Sequence, residues 1–567
     1  MADNLGRGGT GTNHARGYRY LLILSGRRNA GVFKRFRALI SAGVLLVFVL
    51  SLVGCAGNGP PAAGKKGQKD ELILALTGSE PDAGFDPITG WGRYGSPLFQ
   101  STLLTRDADL KIVNDLATGY SVSNDGLTWT VKIRDDVKFS DGKPLTARDV
   151  VYTYQTAAGS GSVVDLGVMK GVVALDDHTV QFTLKEPQST FVVQLVSQGI
   201  VPQHAYDKEY AEHPIGSGPF KFVQWDKGQQ LIVEPNPEYY REKPAFKKVT
   251  FLFLDEDAAF AAAKAGQVDI AGIPPAFARQ EITGMRILAL QTVDNRGILF
   301  PTAQAGKKTS EGYPVGNDVT ADIAIRQAIN MAIDRQELVD GILDGYGTVA
   351  FSSSDHLPWW NPETVIKDGD LEGAQKILAQ AGWKDSDNDG ILEKGNLKAR
   401  FLLLYTAGDQ VRQSLAIAAA DRIKTLGIDV QVEGKSWDEI KPLMHANAVL
   451  FGWGSHDPLE MYNLYHSRMA GQGWYNTGFY SNPTVDAYLN QALSARSEEE
   501  ALQYWKKAQW DGQTGFSAWG DAPWAWLVNL KHVYLVREDL DIGKQKIQVH
   551  GRGWPITDNI SQWRWKD

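Results

Sequence analysis

The chain is expected to fold as two α/β lobes with an additional β-rich piece inserted early, and three features of its 567 residues lead there. Segments that alternate apolar and polar residues crowd the region before residue 220. After it, helices with apolar faces alternate with short apolar strands, as α/β folds do. Beyond Cys55 no apolar run is long enough to span a membrane, so roughly 500 residues remain to build two or more domains.

Taken in order, the first element is a leader. A basic patch (Arg27, Arg28, Lys34, Arg35, Arg37) precedes an apolar stretch from Ala38 to Val53, then Gly54 and Cys55. This is the layout of a secretory signal: positive charge held back, a short apolar helix, a small-residue cleavage site. The apolar stretch falls short of the roughly 20 residues of a permanent span. An uncleaved anchor helix with an incidental cysteine is the alternative, and a start at Val32 would leave a more compact leader. Leu52-Val53-Gly54-Cys55 resembles a bacterial lipobox, which implies cleavage before a lipid-modified Cys55. Residues 1–54 are thus read as a lipoprotein signal peptide. Residues 55–70, "CAGNGPPAAGKKGQKD", form a flexible Gly/Pro/Lys tether.

Cys55 is the one cysteine in the chain, so the folded part has no disulfides and needs a large core. Eight Lys/Arg and one acid precede Cys55, so losing the leader moves the formal charge from −8 to about −15. Such an acidic protein lacks the basic face of a nucleic-acid binder. It also lacks broad attraction to anionic lipid, so membrane attachment would be covalent.

"ELILAL" opens the folded part as a strand. "SPLFQSTLL" is expected to be a short helix with Ser96 as N-cap and Pro97 in the first turn. "LTWTVKIR" alternates as a half-buried strand, Asp141-Gly142 turns the chain, and a helix capped by Thr146 follows. "HTVQFTLK" is a further alternating strand. The chain then changes character in "VTFLFLDEDAAFAAAKAGQVDIAG", which reads as strand, helix, strand. Asp255 and Glu256 lie at the helix start, and Gly266 lies past its end. "DIAIRQAINMAIDRQELVDGIL", "LEGAQKILAQAG" and "QVRQSLAIAAADRIKTLG" are helices, interleaved with strands "ARFLLLY" and "DVQVEG".

Several of these segments together resemble the family 5 solute-binding proteins of ABC importers, the peptide/nickel group. They are "DGLTWTVKIRDDVKFSDGKPLTARDVVYTY", "PIGSGPF", "NPEYY", "KPAFKKVTF", "AGQVDI", "IRQAINMAIDRQELV", "AQKILAQAGWKDSDNDG" and "WGSHDP". They occur in the family's order and cover nearly all of the chain after the tether. The resemblance implies a two-lobed clamshell that closes on its ligand by a hinge. Residues 71–300 would form lobe I, with the inserted subdomain at about 106–219. Residues 301–526 would form lobe II, and 527–567 would return to lobe I. It further implies an extracytoplasmic monomer, held at the membrane by lipid on Cys55, that hands a small ligand to permease and ATPase subunits. No cofactor is implied.

Candidate ligand contacts follow. "TGWGRYGSP" presents Trp91, Arg93 and Tyr94 in a glycine-rich loop. Gly90, Gly92 and Gly95 match G-x-G-x-x-G, but bulky side chains fill its variable positions and the loop does not directly follow a strand, which argues against a nucleotide. Core packing of Trp91 is the alternative. Arg296, ahead of an apolar strand near the expected crossover at Pro301, could grip a carboxylate, or pair with Asp294.

In peptide-binding relatives an aspartate in a pattern like W-x-x-D-x-x-D-P pairs with the ligand amine. Here Trp453 and Asp457-Pro458 remain in a shorter loop that lacks the earlier aspartate, leaving Asp457 to take its role. Nickel-binding relatives carry W-G-x-x-x-D-P, which Trp453-Gly454 fits with one residue fewer. His456 and His466 are candidate metal contacts through a chelate, because imidazole suits Ni(II). The shortened loop tilts the expectation slightly toward nickel or another small charged ligand.

Asp385, Asp387 and Asp389 with Gly390 have the spacing of a calcium loop. Asn396 stands where its bidentate glutamate belongs, so a surface turn is the other reading. The rival classes are an exported lipoprotein enzyme such as a glycoside hydrolase, since 17 Trp could line a sugar cleft, and a ligand sensor or chaperone on the same fold. No G-x-S-x-G, H-E-x-x-H or C-x-x-C motif supports the enzyme.

Overall fold

The computed structural model describes residues 70–566, except 77–79, 96, 161–165 and 552. Cys55, the leader and Ser96 lie outside the described residues. Residues 68–567 form one compact unit with two large sheets.

The first sheet has seven strands in the order Met285–Leu290, His532–Arg537, Ile270–Gly272, Glu71–Ala75, Lys248–Leu252, Gln230–Pro235, Phe220–Asp226. Its central strand Glu71–Ala75 runs parallel to both neighbours, and the outer pairs are antiparallel. A central strand covered on both faces must be apolar throughout. Leu72, Leu74 and Ala75 are fully buried. The helix Glu256–Lys264 packs beside it, N-capped by Asp255, whose side chain accepts from the Ala258 amide. Gly266, at φ +70°, ends the turn that follows.

The second sheet orders Gly347–Val349, Trp524–Leu530, Asn295–Leu299, Ala448–Phe451, Arg400–Thr406 and Asp429–Lys435. The helices Ile323–Ala332, Leu371–Gln380 and Gln410–Lys424 bury Ile325, Ile329, Leu378, Leu415 and Ile423 in one cluster with Leu403. The chain passes between the sheets twice, at 291–294 and at Lys531. Asn295–Leu299 already pairs within the second sheet, so the first crossover runs ahead of Pro301. These are the two lobes of an α/β clamshell.

A four-stranded antiparallel sheet carries Ala117–Val122, Thr128–Ile133, Thr179–Leu184 and Met169–Asp176 in that order. Trp129, Val131, Ile133, Val180 and Phe182 face the buried side of the helix Ala147–Ser160. Thr146 and Asp149 join at the start of that helix: the Thr146 amide donates to the Asp149 carboxylate at 2.9 Å. No described helix is long and apolar enough to cross a membrane.

Two expected elements differ. Residues 97–103 form no helix. Leu98 takes φ +62°, and the Phe99 carbonyl accepts from the Gly218 amide at 2.8 Å. Pairing with residues 216–220 outcompetes the helix, and Gly216 permits it, since a Cβ there would sit 2.0 Å from the Phe99 oxygen. The long helix expected over 322–343 breaks at Ile333, where Asp334 caps a second helix, Arg335–Ile342.

Candidate functional site

A cavity of about 800 Å³ opens where the two lobes meet. One wall is the loop after strand Ala448–Phe451, from Gly452 to Glu460, with Tyr475. The other carries Arg93, Tyr94, Arg106, Asp115, Tyr239 and Arg241 from the first lobe, and Lys546 and His550 from the C-terminal return. The volume lies within the 300–1,000 Å³ that suits small-molecule ligands.

The loop 452–460 is fixed from behind. Asn295 Oδ1 accepts from the Trp453 amide at 2.9 Å, and the Gly454 carbonyl accepts from the His550 amide at 2.8 Å. Gly454, at φ +142°, lies so close to Val293 that a Cβ would sit 1.9 Å from its carbonyl oxygen, so only glycine fits. The loop can therefore lie flat against the crossover while its side chains face the cavity. The Trp453 ring stacks on Tyr475, centroids 5.4 Å apart. Asp457 Oδ1 accepts from the Leu459 amide at 2.9 Å, which starts the helix Leu459–Tyr465.

Charge of both signs gathers here, Arg106 buried and Asp115, Asp457 and Glu460 half-buried. Arg106 Nη2 donates to the His456 carbonyl at 2.8 Å, and Asp457 stands near enough to favour its charge. Burial, with Arg106 and Lys546 alongside, pushes the His456 imidazole down to about 3, so it is neutral at physiological pH. Its Nε2 lies 2.9 Å from the Ile547 carbonyl and donates to it. Burial pushes Glu460 up to about 8, reinforced by Asp457 and opposed by the Gly454 amide, which donates to it at 3.1 Å. Burial likewise raises Asp115, against the pull of Arg241 at 2.8 Å.

Of the residues singled out in the sequence, Arg93, Tyr94, Trp453, His456 and Asp457 line this cavity. The others do not. Trp91 packs edge-on against Phe85 and Trp554, each at 4.9 Å, and donates its Nε1–H to the Pro97 carbonyl at 2.6 Å. It is core, because the loop turns its largest apolar side chain inward. Arg296 is buried and pairs with Asp294 at 2.6 Å, the second of its two expected roles. His466 is buried behind the wall, its ring over Tyr462 at 4.3 Å and its Nδ1 accepting from the Arg468 amide at 3.0 Å.

Asp385, Asp387 and Asp389 gather with Glu393, their carboxylate oxygens within 4.8 Å of one another. The Lys398 ammonium bonds Asp387 at 3.1 Å and Asp389, and reaches Glu393 at 3.5 Å. An internal cation thus balances this turn. Sequence reasoning missed Arg106 and Glu460, although Glu460 follows Asp457 by only three residues.

Glu460 gives a first prediction. Folded, it keeps a proton up to about 8 that the unfolded chain releases near 4.5. Protons bound in excess by the folded state make stability fall as pH rises through that window. Buried Asp355, pushed up to about 7, acts in the same direction. The melting temperature of the ligand-free protein is expected to fall between pH 5 and pH 8. Glu460→Gln should flatten part of this slope and Asp355→Asn a further part; wild-type slopes in both variants would refute the assignment.

The geometry has counterparts among known proteins. The family model for bacterial extracellular solute-binding proteins, family 5 Middle, matches residues 111–476. Protein XP55 of Streptomyces lividans is 34% identical over 518 residues, which cover 88% of this chain and 91% of that protein. The oligopeptide-binding protein AppA of Bacillus subtilis (strain 168) is 30% identical over 500 residues, 82% of this chain and 90% of AppA. The AppA structure, in complex with a nonapeptide, matches 89% of this chain and 100% of its own with a TM-score of 0.65 at 26% identity. NikZ from Campylobacter jejuni, in complex with Ni(L-His), matches 88% of this chain and 99% of its own with a TM-score of 0.69 at 26% identity.

Proposed function

Because the chain belongs to the bacterial extracellular solute-binding proteins of family 5, we propose that it captures a short peptide in the cavity between its lobes and delivers it to an ABC permease from a lipid anchor on Cys55. The observation that carries the proposal is the presence of Asp457 and Glu460 on one wall and of Arg93, Arg106 and Lys546 on the other. A free peptide is a zwitterion, and a cavity lined by charges of both signs suits its two ends. The 30% identity with an oligopeptide-binding protein supports the same ligand class.

In this reading Asp457, with Glu460 behind it, receives the peptide ammonium. That ammonium favours the ionised form of Glu460, so binding below pH 8 releases a proton. Trp453 and Tyr475 offer apolar ring faces to a side chain, and Arg93 or Arg106 meets a carboxylate. The site binds without turnover.

A nickel chelate is the second reading, and His456 favours it specifically. An imidazole that stays neutral at physiological pH competes for metal without first losing a proton. The Ni(L-His) complex of NikZ is its counterpart among the related structures.

A thermal-shift panel separates the two. The soluble form beginning at Ala56 contains the whole compact unit. It would be tested with di- to pentapeptides, and with Ni(II) alone and with free histidine. A ligand at a hundred times its dissociation constant adds about 2.7 kcal/mol, a readily measured shift. Peptides alone should raise the melting temperature. A shift with nickel plus histidine alone, abolished by His456→Ala, would replace the peptide with the chelate.

A further inference from the structure

The β-rich subdomain touches the second lobe at two separate points, one on a hairpin that also lines the cavity and one away from it. The first is the tip of the hairpin formed by Leu104–Arg106 and Ile112–Asn114. Leu110 at that tip is buried, not in the subdomain's own core but in the second lobe's cluster with Leu299, Phe451, Tyr465 and Trp526. It holds φ +66°, a backbone that residues with a Cβ seldom adopt. Arg106 Nη1 donates to the Leu110 carbonyl at 2.9 Å while Nη2 bonds the His456 carbonyl, so one guanidinium links the tip to the opposite wall.

The second point is the loop before the helix Phe191–Ser197. Ser189 donates its amide to the Leu493 carbonyl at 2.7 Å and its hydroxyl to the Ala492 carbonyl at 2.8 Å. Both carbonyls belong to the last turn of the second-lobe helix Pro483–Ser494, where regular intrahelical donors run out; that of Ala492 also accepts from the Ala495 amide at 3.4 Å. Ser189 thus caps a helix from across the cleft.

We infer that the subdomain is a clasp: Leu110 and Ser189 are positioning residues that hold the lobes together and set how long a solute stays. Neither lines the cavity, so neither acts by touching the ligand. Apparent affinity scales with the fraction of molecules in the binding-competent state, so any interaction that favours the closed lobes multiplies directly into it. Only the affinity arm of this inference rests on the proposed solute capture.

The test measures lobe separation and affinity together. Full-length protein carrying Cys55→Ser receives fluorophores at Lys170→Cys, on the subdomain, and Lys424→Cys, on the second lobe, both exposed. Distance distributions are recorded without ligand, with a mixture of di- to pentapeptides, and with Ni(II) plus histidine. Leu110→Ala is expected to shift the distributions toward open and to weaken binding of whichever probe is held by about tenfold or more, chiefly through faster release. Ser189→Ala should do the same by about 2- to 10-fold, and Ser189→Thr should restore wild-type values. Distributions identical to wild type in both alanine variants overturn the clasp. If neither probe binds wild type, the capture proposal fails while the ligand-free distances still decide the clasp.

Discussion

Arg335→Ala is expected to lower the stability of the second lobe by about 3–5 kcal/mol, the cost of breaking a buried charge network by removing one partner. Arg335 is fully buried at the start of its helix. Its Nε–H donates to the Ala350 and Trp526 carbonyls at 3.0 and 2.7 Å, and its terminal nitrogens serve the Asn330 carbonyl, Asn330 Oδ1 and Asp368. Its guanidinium also lies 4.8 Å from the Phe351 ring. Truncation strands three backbone carbonyls at once and leaves the Asp368 carboxylate only the backbone amide of residue 335, at 2.5 Å. Lysine cannot repair this, because an ammonium does not span the fork of acceptors that a planar guanidinium reaches. Chemical denaturation of Arg335→Ala and Arg335→Lys against wild type provides the check. A loss under about 1 kcal/mol in the alanine variant would show that the network is not the keystone described.

The second large effect concerns the ligand. Asp457→Asn should weaken peptide binding by about 30-fold or more, since truncating one side of a buried charge pair costs about 2 kcal/mol at least. Asparagine keeps an oxygen for the Leu459 amide, so the helix start and the fold survive. Unchanged melting of the ligand-free variant, beside weakened binding, would assign the loss to charge alone.

Much of the architecture was legible because it depends on near neighbours. The alternation in Thr128–Ile133 predicts a half-buried strand, and Trp129, Val131 and Ile133 are indeed its buried side. Asp255 and Thr146 mark helix starts through contacts three residues away. One failure came where distant backbone intervened, the other at a local cap. The segment 97–103 has a good N-terminal signal, yet the Gly218 and Phe220 amides offer its carbonyls better partners more than a hundred residues later, and Gly216 permits the approach. The apolar period continues through Ile333, so the helix break reflects Asp334 turning to cap the next helix.

The site divides the same way. Trp453 and Asp457 stand in a recognisable motif and line the cavity. Trp91, in a loop, and Arg296, in the strand Asn295–Leu299, are equally conspicuous, and nothing local says which side of either segment faces the cavity. Trp91 turned to Phe85 and Trp554, and Arg296 to Asp294. Arg106 reaches a carbonyl 350 residues away, and the raised Glu460 is a product of burial that only the assembled lobes create.

The central claim is that the acids of the Gly452–Glu460 loop receive the free amine of a short peptide. Isothermal titration of one short peptide, the strongest in the thermal-shift panel, and of its N-acetylated form tests it most directly. Saturable one-to-one binding of the free peptide, with the acetylated form about 30-fold weaker or worse, is the predicted result. Equal affinities for the two forms, or no binding of either, would contradict it.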